Sequence, residues 1–283
     1  MQPQTLAEQL FFLTVPIWGE DDDAQWSGTG FILAVSVGED QDLMVLVTNK
    51  HVLAKPDRTH IGIHVADPSG DWHAGVGHRV NLQLMGVDII VGHPDESVDV
   101  AVVPVGPILG GTFEGRRPFF RSFTVRDLMM DDRLEQLDAL EDVFFVGYPA
   151  GISDTVHNTP IVRRGLAATP LSLDYRGEPA FLIDASVHPG SSGSPVILFN
   201  SGSYRLRQGG LAIGSRFGLL GVLAAVHANL LTVDYIAMPA EERPVVRQPV
   251  GLGIVYKSHT ILETVDVLCE RLGVERVRSE DNA

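Results

Sequence analysis

Short apolar segments closed by Gly, Pro, Asp or Asn recur along most of this chain. That spacing restricts the fold to an all-β barrel or sandwich and argues against alternating βαβ units. The segments are Gly30–Val37, Leu43–Thr48, Ile61–Val65, Val98–Val105, Val143–Gly147, Ala180–Ile183, Pro195–Phe199, Leu219–Ala225 and Gly251–Tyr256. Helical periodicity takes over only near the end, where Ile261, Leu262, Val265, Leu268 and Leu272 share one face and charges occupy the other. A second stretch, Leu128–Leu140, has Leu at looser helical spacing among acids and predicts a helical linker or surface insertion. No internal repeat or low-complexity tract interrupts this plan. At 283 residues, 45% of them hydrophobic, the chain can bury a substantial core without metals or disulfides.

Charge narrows the partners. With 36 acidic and 21 basic residues the net charge is −15, a surface that repels phosphate backbones and anionic lipids. Nucleic acid and membrane are therefore not expected as partners. The acidic run Glu20–Asp23 reads as a solvated loop. The apolar run Leu10–Trp18 is broken by Thr14 and Pro16 and lacks a basic start, so it reads as a first strand rather than a secretory leader. No stretch approaches the roughly 18 apolar residues a membrane helix needs. The single cysteine, Cys269, cannot form an internal disulfide and suits a buried role in the final helix. These features predict a cytoplasmic protein.

The most informative chemistry lies in His188-Pro-Gly-Ser-Ser-Gly-Ser-Pro-Val196, set between two apolar strands. A Gly/Ser run there must be a tight, ordered turn. A serine nucleophile needs such a turn, with backbone N–H groups aimed where an oxyanion forms and glycines that let the backbone approach the substrate. By composition Ser191, Ser192 and Ser194 are rival nucleophiles. Serine also needs a base, commonly an imidazole oriented by a carboxylate. His51 follows the apolar strand Leu46–Thr48, and Asp99 opens another apolar segment. His60 and His64 lie four apart, but no HExxH or Cys-pair spacing accompanies them, so no metal site is expected. Gly28-Thr-Gly30 is not followed by a third glycine and a helix, and no cofactor is expected.

These segments resemble the motifs of the trypsin-like (chymotrypsin-fold) serine peptidases, especially their HtrA-like bacterial branch. Thr48-Asn-Lys-His-Val resembles the histidine motif, and Asp99-Val-Ala-Val the aspartate motif. Gly190-Ser-Ser-Gly-Ser-Pro-Val is similar to the nucleophile motif Gly-Asn-Ser-Gly-Gly-Pro. Gly28-Thr-Gly-Phe-Ile, Val146-Gly-Tyr-Pro, Ile183-Asp-Ala-Ser-Val-His-Pro-Gly and Gly251-Leu-Gly-Ile-Val-Tyr-Lys-Ser fit supporting strands of the same family in the same order. The order His, Asp, Ser differs from the Ser, Asp, His order of α/β-hydrolases, and Ser194 stands where their nucleophile elbow needs Gly.

The resemblance implies two packed six-stranded antiparallel β-barrels with a C-terminal helix. It implies residues 1–125 as the barrel carrying His51 and Asp99, 126–142 as a linker or helical insertion, and 143–283 as the barrel carrying Ser192. Alignment selects Ser192 as nucleophile, His51 as base, Asp99 as orienting acid, and the N–H groups of Gly190 and Ser192 as the oxyanion hole. Ser186, Ala224, Ala225 and Val226 would line the substrate pocket; none is charged, so small or medium apolar side chains are expected before the cleaved bond. Ser191 replaces the acid that pairs with a new N-terminus in secreted members. The expected function is thus a regulated intracellular serine endopeptidase acting on proteins or peptides, with room for a regulatory protein partner and no C-terminal peptide-binding domain. A catalytically silent module that binds peptides or partner proteins is the alternative. Ser194 in a glycine position questions the turn geometry, and His188 and His227 are expected to serve as hydrogen-bond partners.

Overall fold

A computed structural model describes residues 3–22, 24–66, 79–83, 89–154, 156–232 and 245–277, with backbone alone at 56, 79–83, 225–232 and 245–250. The first half forms one sheet from β1 (Thr14–Glu20), β2 (Gln25–Gly38), β3 (Gln41–Thr48), β4 (Thr59–His64), β5 (Arg79–Gln83), β6 (Val91–Gly92), β7 (Ala101–Pro104) and β8 (Phe123–Thr124). Its order is β5-β4-β1-β2-β3-β7-β6, with β8 pairing parallel to β2. Residues 84–88, between the two edge strands, lie outside the described set. The second half holds β9 (Asp142–Gly147), β10 (Ile161–Ala167), β11 (Ala180–Asp184), β12 (Pro195–Asn200), the small hairpin β13 (Ser203–Arg205) and β14 (Leu211–Ile213), and the long β15 (Arg216–Thr232) and β16 (Val245–Lys257). Six of these close into an antiparallel barrel in the order β10-β11-β16-β15-β12-β9.

The apolar runs are continuous rather than alternating because both faces of these strands are covered. On β3, Val45 and Val47 enter one core while Leu46 enters another; on β7, Val102 parts from Ala101 and Val103 in the same way. In the barrel, Val196 and Leu198 point to its interior and Ile197 points out. Three cores result: one inside each half, and a third shared between them. The shared core joins Phe31, Leu33 and Val45 of the first half to Val146, Ile197 and Leu219 of the second. Each such side chain contributes about 1.5–3 kcal/mol of burial.

The C-terminal helix (Ser258–Leu272) forms as its periodicity predicts and buries Ile261, Val265, Leu268 and Cys269 in the shared core. It stops at Gly273, whose φ of 68° is left-handed. The expected helix at Leu128–Leu140 is corrected: only Asp131–Leu134 forms a helical turn. Leu128 bridges Leu219, and the Met129 N–H donates to the Leu219 carbonyl at 2.8 Å, which holds these residues extended against β15. The run Leu10–Trp18 is likewise divided, into a 3₁₀ turn at Leu10–Phe12 and then β1. Among the described residues no helix is long and apolar enough to cross a membrane.

Candidate active site

The site lies where the two halves meet, and each segment is held by small polar contacts written into its sequence. After β3 the chain turns through a 3₁₀ turn at His51–Leu53. Thr48 Oγ1 donates to the Thr29 carbonyl at 2.7 Å, Asn49 Nδ2 to the Asp99 carbonyl at 2.6 Å, and Lys50 Nζ to the Asp95 carbonyl at 2.7 Å. Asp99 lies two residues before β7, between Val98 and Val100, which are both fully buried. Alternation then turns the Asp99 side chain the opposite way. Its Oδ1 accepts the His51 N–H at 3.2 Å, and its Oδ2 lies 2.5 Å from His51 Nδ1. One carboxylate oxygen thus holds the His51 backbone and the other its ring; Nε2 is left for another proton, and the His51 side chain is 52% exposed.

Two consecutive turns build the segment between β11 and β12. The Ser191 N–H donates to the His188 carbonyl at 3.0 Å, with Pro189 and Gly190 (φ 88°) at the centre. The Ser194 N–H donates to the Ser191 carbonyl at 3.0 Å, with Ser192 and Gly193 (φ 85°) at the centre. A positive φ at the third position is the type II arrangement and favours glycine. Crowding demands it too: a Cβ on Gly193 would overlap the Thr29 carbonyl oxygen, and one on Gly190 would lie 2.5 Å from the Tyr148 oxygen.

Both halves hold these turns. From β15, the Leu223 carbonyl accepts the Gly193 N–H at 2.7 Å, and the Leu223 N–H donates back to Ser194 at 3.0 Å. From β2, the Thr29 N–H donates to the Ser192 carbonyl at 2.8 Å, while Thr29 Oγ1 donates to Gly190 at 2.9 Å and accepts the Tyr148 N–H at 3.0 Å. Thr29 is the residue that sequence reasoning missed. Its signal was a polar side chain between Gly28 and Gly30, just before the apolar run of the strand.

Of the rival serines, Ser191 and Ser194 are buried, and their hydroxyls find no partner among the described residues. Ser192 is half-exposed, and its Oγ donates to the Ala224 carbonyl at 3.0 Å. Among the described residues no hydrogen bond joins it to His51. The N–H groups of Gly190 and Ser192 likewise find no acceptor among them. Ser194 has no positive φ, so its position never required glycine, and Gly147 leaves the space its hydroxyl fills.

The remaining expected residues are less uniform. Ser186 is exposed beside β11, and Ala224 is buried behind Ser192. The backbones of Ala225 and Val226 pair with Ile254 and Gly253, while their side chains, like that of His227, lie outside the described residues. The expected bonding role of His188 is corrected: its ring is exposed without a hydrogen bond among the described residues, and only its carbonyl acts, as the turn acceptor. No cluster of three potential metal ligands occurs among the described residues. His60 stacks on Trp18 and His64 meets Phe12 edge-on, which gives both rings packing roles.

The family model of the trypsin-like peptidase domain matches residues 28–203, a stretch that contains His51, Asp99 and Ser192. The comparison with curated proteins gives no significant match. Among solved structures, the chain is similar to the scabies mite inactivated protease paralogue S-I1, at 14% identity and a TM-score of 0.50, over 95% of this chain and 99% of that one. It is also similar to an inactive-form serine-to-alanine mutant of Rv3671c from M. tuberculosis H37Rv, at 16% identity and a TM-score of 0.46, over 95% and 91% of the two chains. A serine endoprotease from Yersinia pestis aligns at 14% identity and a TM-score of 0.45, over 93% of this chain and 65% of that one. At these identities the likeness is one of fold.

Proposed function

The chain belongs to the trypsin-like peptidase family of serine endopeptidases, and on that premise we propose that Ser192, His51 and Asp99 together hydrolyse peptide bonds. Ser192 Oγ attacks the scissile carbonyl while His51 Nε2 takes its proton. The tetrahedral oxyanion settles between the N–H groups of Gly190 and Ser192, each such donor being worth about 3–4 kcal/mol. His51 then protonates the leaving amine, the acyl-enzyme forms on Ser192, and water assisted by the same imidazole releases the acid. Asp99 fixes the tautomer with its proton on Nδ1 and stabilises the imidazolium.

The observation that carries this reading is the nucleophile turn: one half-exposed serine with two N–H groups, of Gly190 and Ser192, that lack acceptors among the described residues. The 2.5 Å contact of His51 with Asp99 supports it. The bond from Ser192 Oγ to Ala224 supports a resting arrangement, which the hydroxyl must leave before His51 can take its proton. That fits a regulated peptidase whose partner or substrate completes the site. The single buried cysteine fits a reducing, cytoplasmic setting. Ala224, whose carbonyl meets the serine, and the uncharged Ser186 fit small or medium apolar substrate side chains.

The same Ala224 contact favours a second reading, a silent module that binds peptides without cleaving them. Labelling with a fluorophosphonate separates the two. The wild type should label, Ser192→Ala and His51→Ala should not, and Ser191→Ala and Ser194→Ala should label as the wild type does. An unlabelled wild type leaves the silent module; labelling that survives Ser192→Ala rejects the assignment of the nucleophile.

A further inference from the structure

The loop that presents Asp99, residues 93–99, closes on itself: the His93 N–H donates to the Val100 carbonyl at 2.8 Å. Inside it, the Asp95 carboxylate accepts the Ser97 N–H at 2.9 Å and the Ser97 hydroxyl at 2.8 Å, and these bonds hold its pKa below the ordinary range. One side of the loop is tied to the histidine segment by the Asn49 and Lys50 bonds described above. The other side is tied to the far end of the chain.

Two bonds make that second tie. The Tyr256 hydroxyl, on β16, donates to the Ser97 carbonyl at 2.7 Å. Burial pushes the Tyr256 phenol up, so it stays a neutral donor. His93, with a side chain only 6% exposed, places Nε2 2.7 Å from the Glu263 carboxylate on the C-terminal helix. Its Nδ1 accepts the Asp95 N–H at 3.1 Å, so in the neutral ring Nε2 carries the proton and donates to Glu263. Beneath these bonds, Val98 and Val100 share one core with Tyr256, Ile261 and Val265.

We propose that Tyr256, His93 and Glu263 are positioning residues that hold the Asp99 carboxylate in register with His51, so that the last strand and helix govern the acid of the first half. The inference rests on reading Asp99 and His51 as the working pair. Neither Tyr256 nor Glu263 meets the reacting atoms. Their loss should let the 93–99 loop shift and lengthen the His51–Asp99 contact without touching the serine turn.

The test uses the full chain with Tyr256→Phe, Glu263→Ala and Glu263→Gln. Glu263 is 54% exposed on its helix and Phe keeps the tyrosine ring, so all three should fold, which circular dichroism checks. In Glu263→Gln the amide oxygen can still accept from His93. The direct readout is the far-downfield proton NMR signal of the Nδ1–H shared by His51 and Asp99, assigned by its absence in His51→Gln. It should move or broaden in Tyr256→Phe and Glu263→Ala, and stay at the wild-type position in Glu263→Gln. In peptide hydrolysis, kcat should fall about five- to tenfold in the first two with KM unchanged, the effect of one lost hydrogen bond felt in the transition state. A signal unmoved in both Tyr256→Phe and Glu263→Ala overturns the proposal, as does a change confined to KM. If the wild type cleaves nothing, the peptidase reading fails, while the NMR signal still decides the positioning role.

Discussion

Gly193 meets the tightest steric demand in the site, since a methyl group there collides with the Thr29 carbonyl oxygen at a φ that side chains avoid. Gly193→Ala should therefore cost about 3 kcal/mol or more and abolish labelling of Ser192; a urea midpoint near wild type would contradict the steric account. Thr29 tests the polar side of the same contact. Thr29→Val removes the hydroxyl that accepts the Tyr148 N–H and donates to Gly190, and should cost about 1–3 kcal/mol and most of the activity, with Thr29→Ser restoring both. Equal activity in the two variants would mean that the hydroxyl plays no part. At this scale the sequence was readable wherever a residue type is rare in its setting. A serine between glycines at the end of an apolar strand announces a turn, and His51 and Asp99 follow from the need for a base and its orienter. Which serine faces solvent was not readable from composition, because it depends on two turns and on the space Gly147 leaves for Ser194. The role of Thr29 depends on the partner half, which no local pattern encodes.

Among elements, the C-terminal helix was legible because its apolar residues repeat at helical spacing and end in a glycine. The stretch Leu128–Leu140 has Leu at looser spacing, and its first residues, Leu128 and Met129, spend their backbone on β15, where a tertiary hydrogen bond overrides local propensity. Most expected strands were found at their centres and cut short at their ends, as β2, which starts at Gln25, and β15, which runs from Arg216, because pairing extends past the apolar run; Val98–Val105 was drawn longer than β7, and β10 was missed. Two measurements address the helix. Gly273→Ala, at a φ of 68° with open space around it, should destabilise by about 1 kcal/mol, and no loss would mean the helix does not need its left-handed cap. Cys269 is buried, and burial raises its thiol pKa, so the thiolate fraction at mildly alkaline pH falls below that of a free cysteine. A disulfide reagent should leave the native thiol unmodified at pH 8 and titrate one thiol after unfolding; rapid native reaction would show that the helix opens.

For the whole molecule, the decisive feature is the core shared by the two halves. The all-β plan was visible in sequence as short apolar segments closed by turn residues, and the barrels followed only from the family resemblance. The assignment of neighbouring residues to different cores was not, since it requires knowing what lies behind each sheet. The shared core should make the two halves one unfolding unit. Ile197→Ala, a fully buried deletion in that core, should cost about 2–5 kcal/mol and shift a single transition; two separate transitions would show that the halves unfold independently. The Thr29 contacts with Ser192 and Gly190 add a consequence for how such a chain can change over time. Thr29 and the serine turn it braces are encoded more than 160 residues apart, so neither half is a portable module. A recombinant that swaps one half for a relative's inherits the motifs and loses their alignment unless Thr29, Gly190 and Gly193 travel together. Inheritance in this protein acts on the seam.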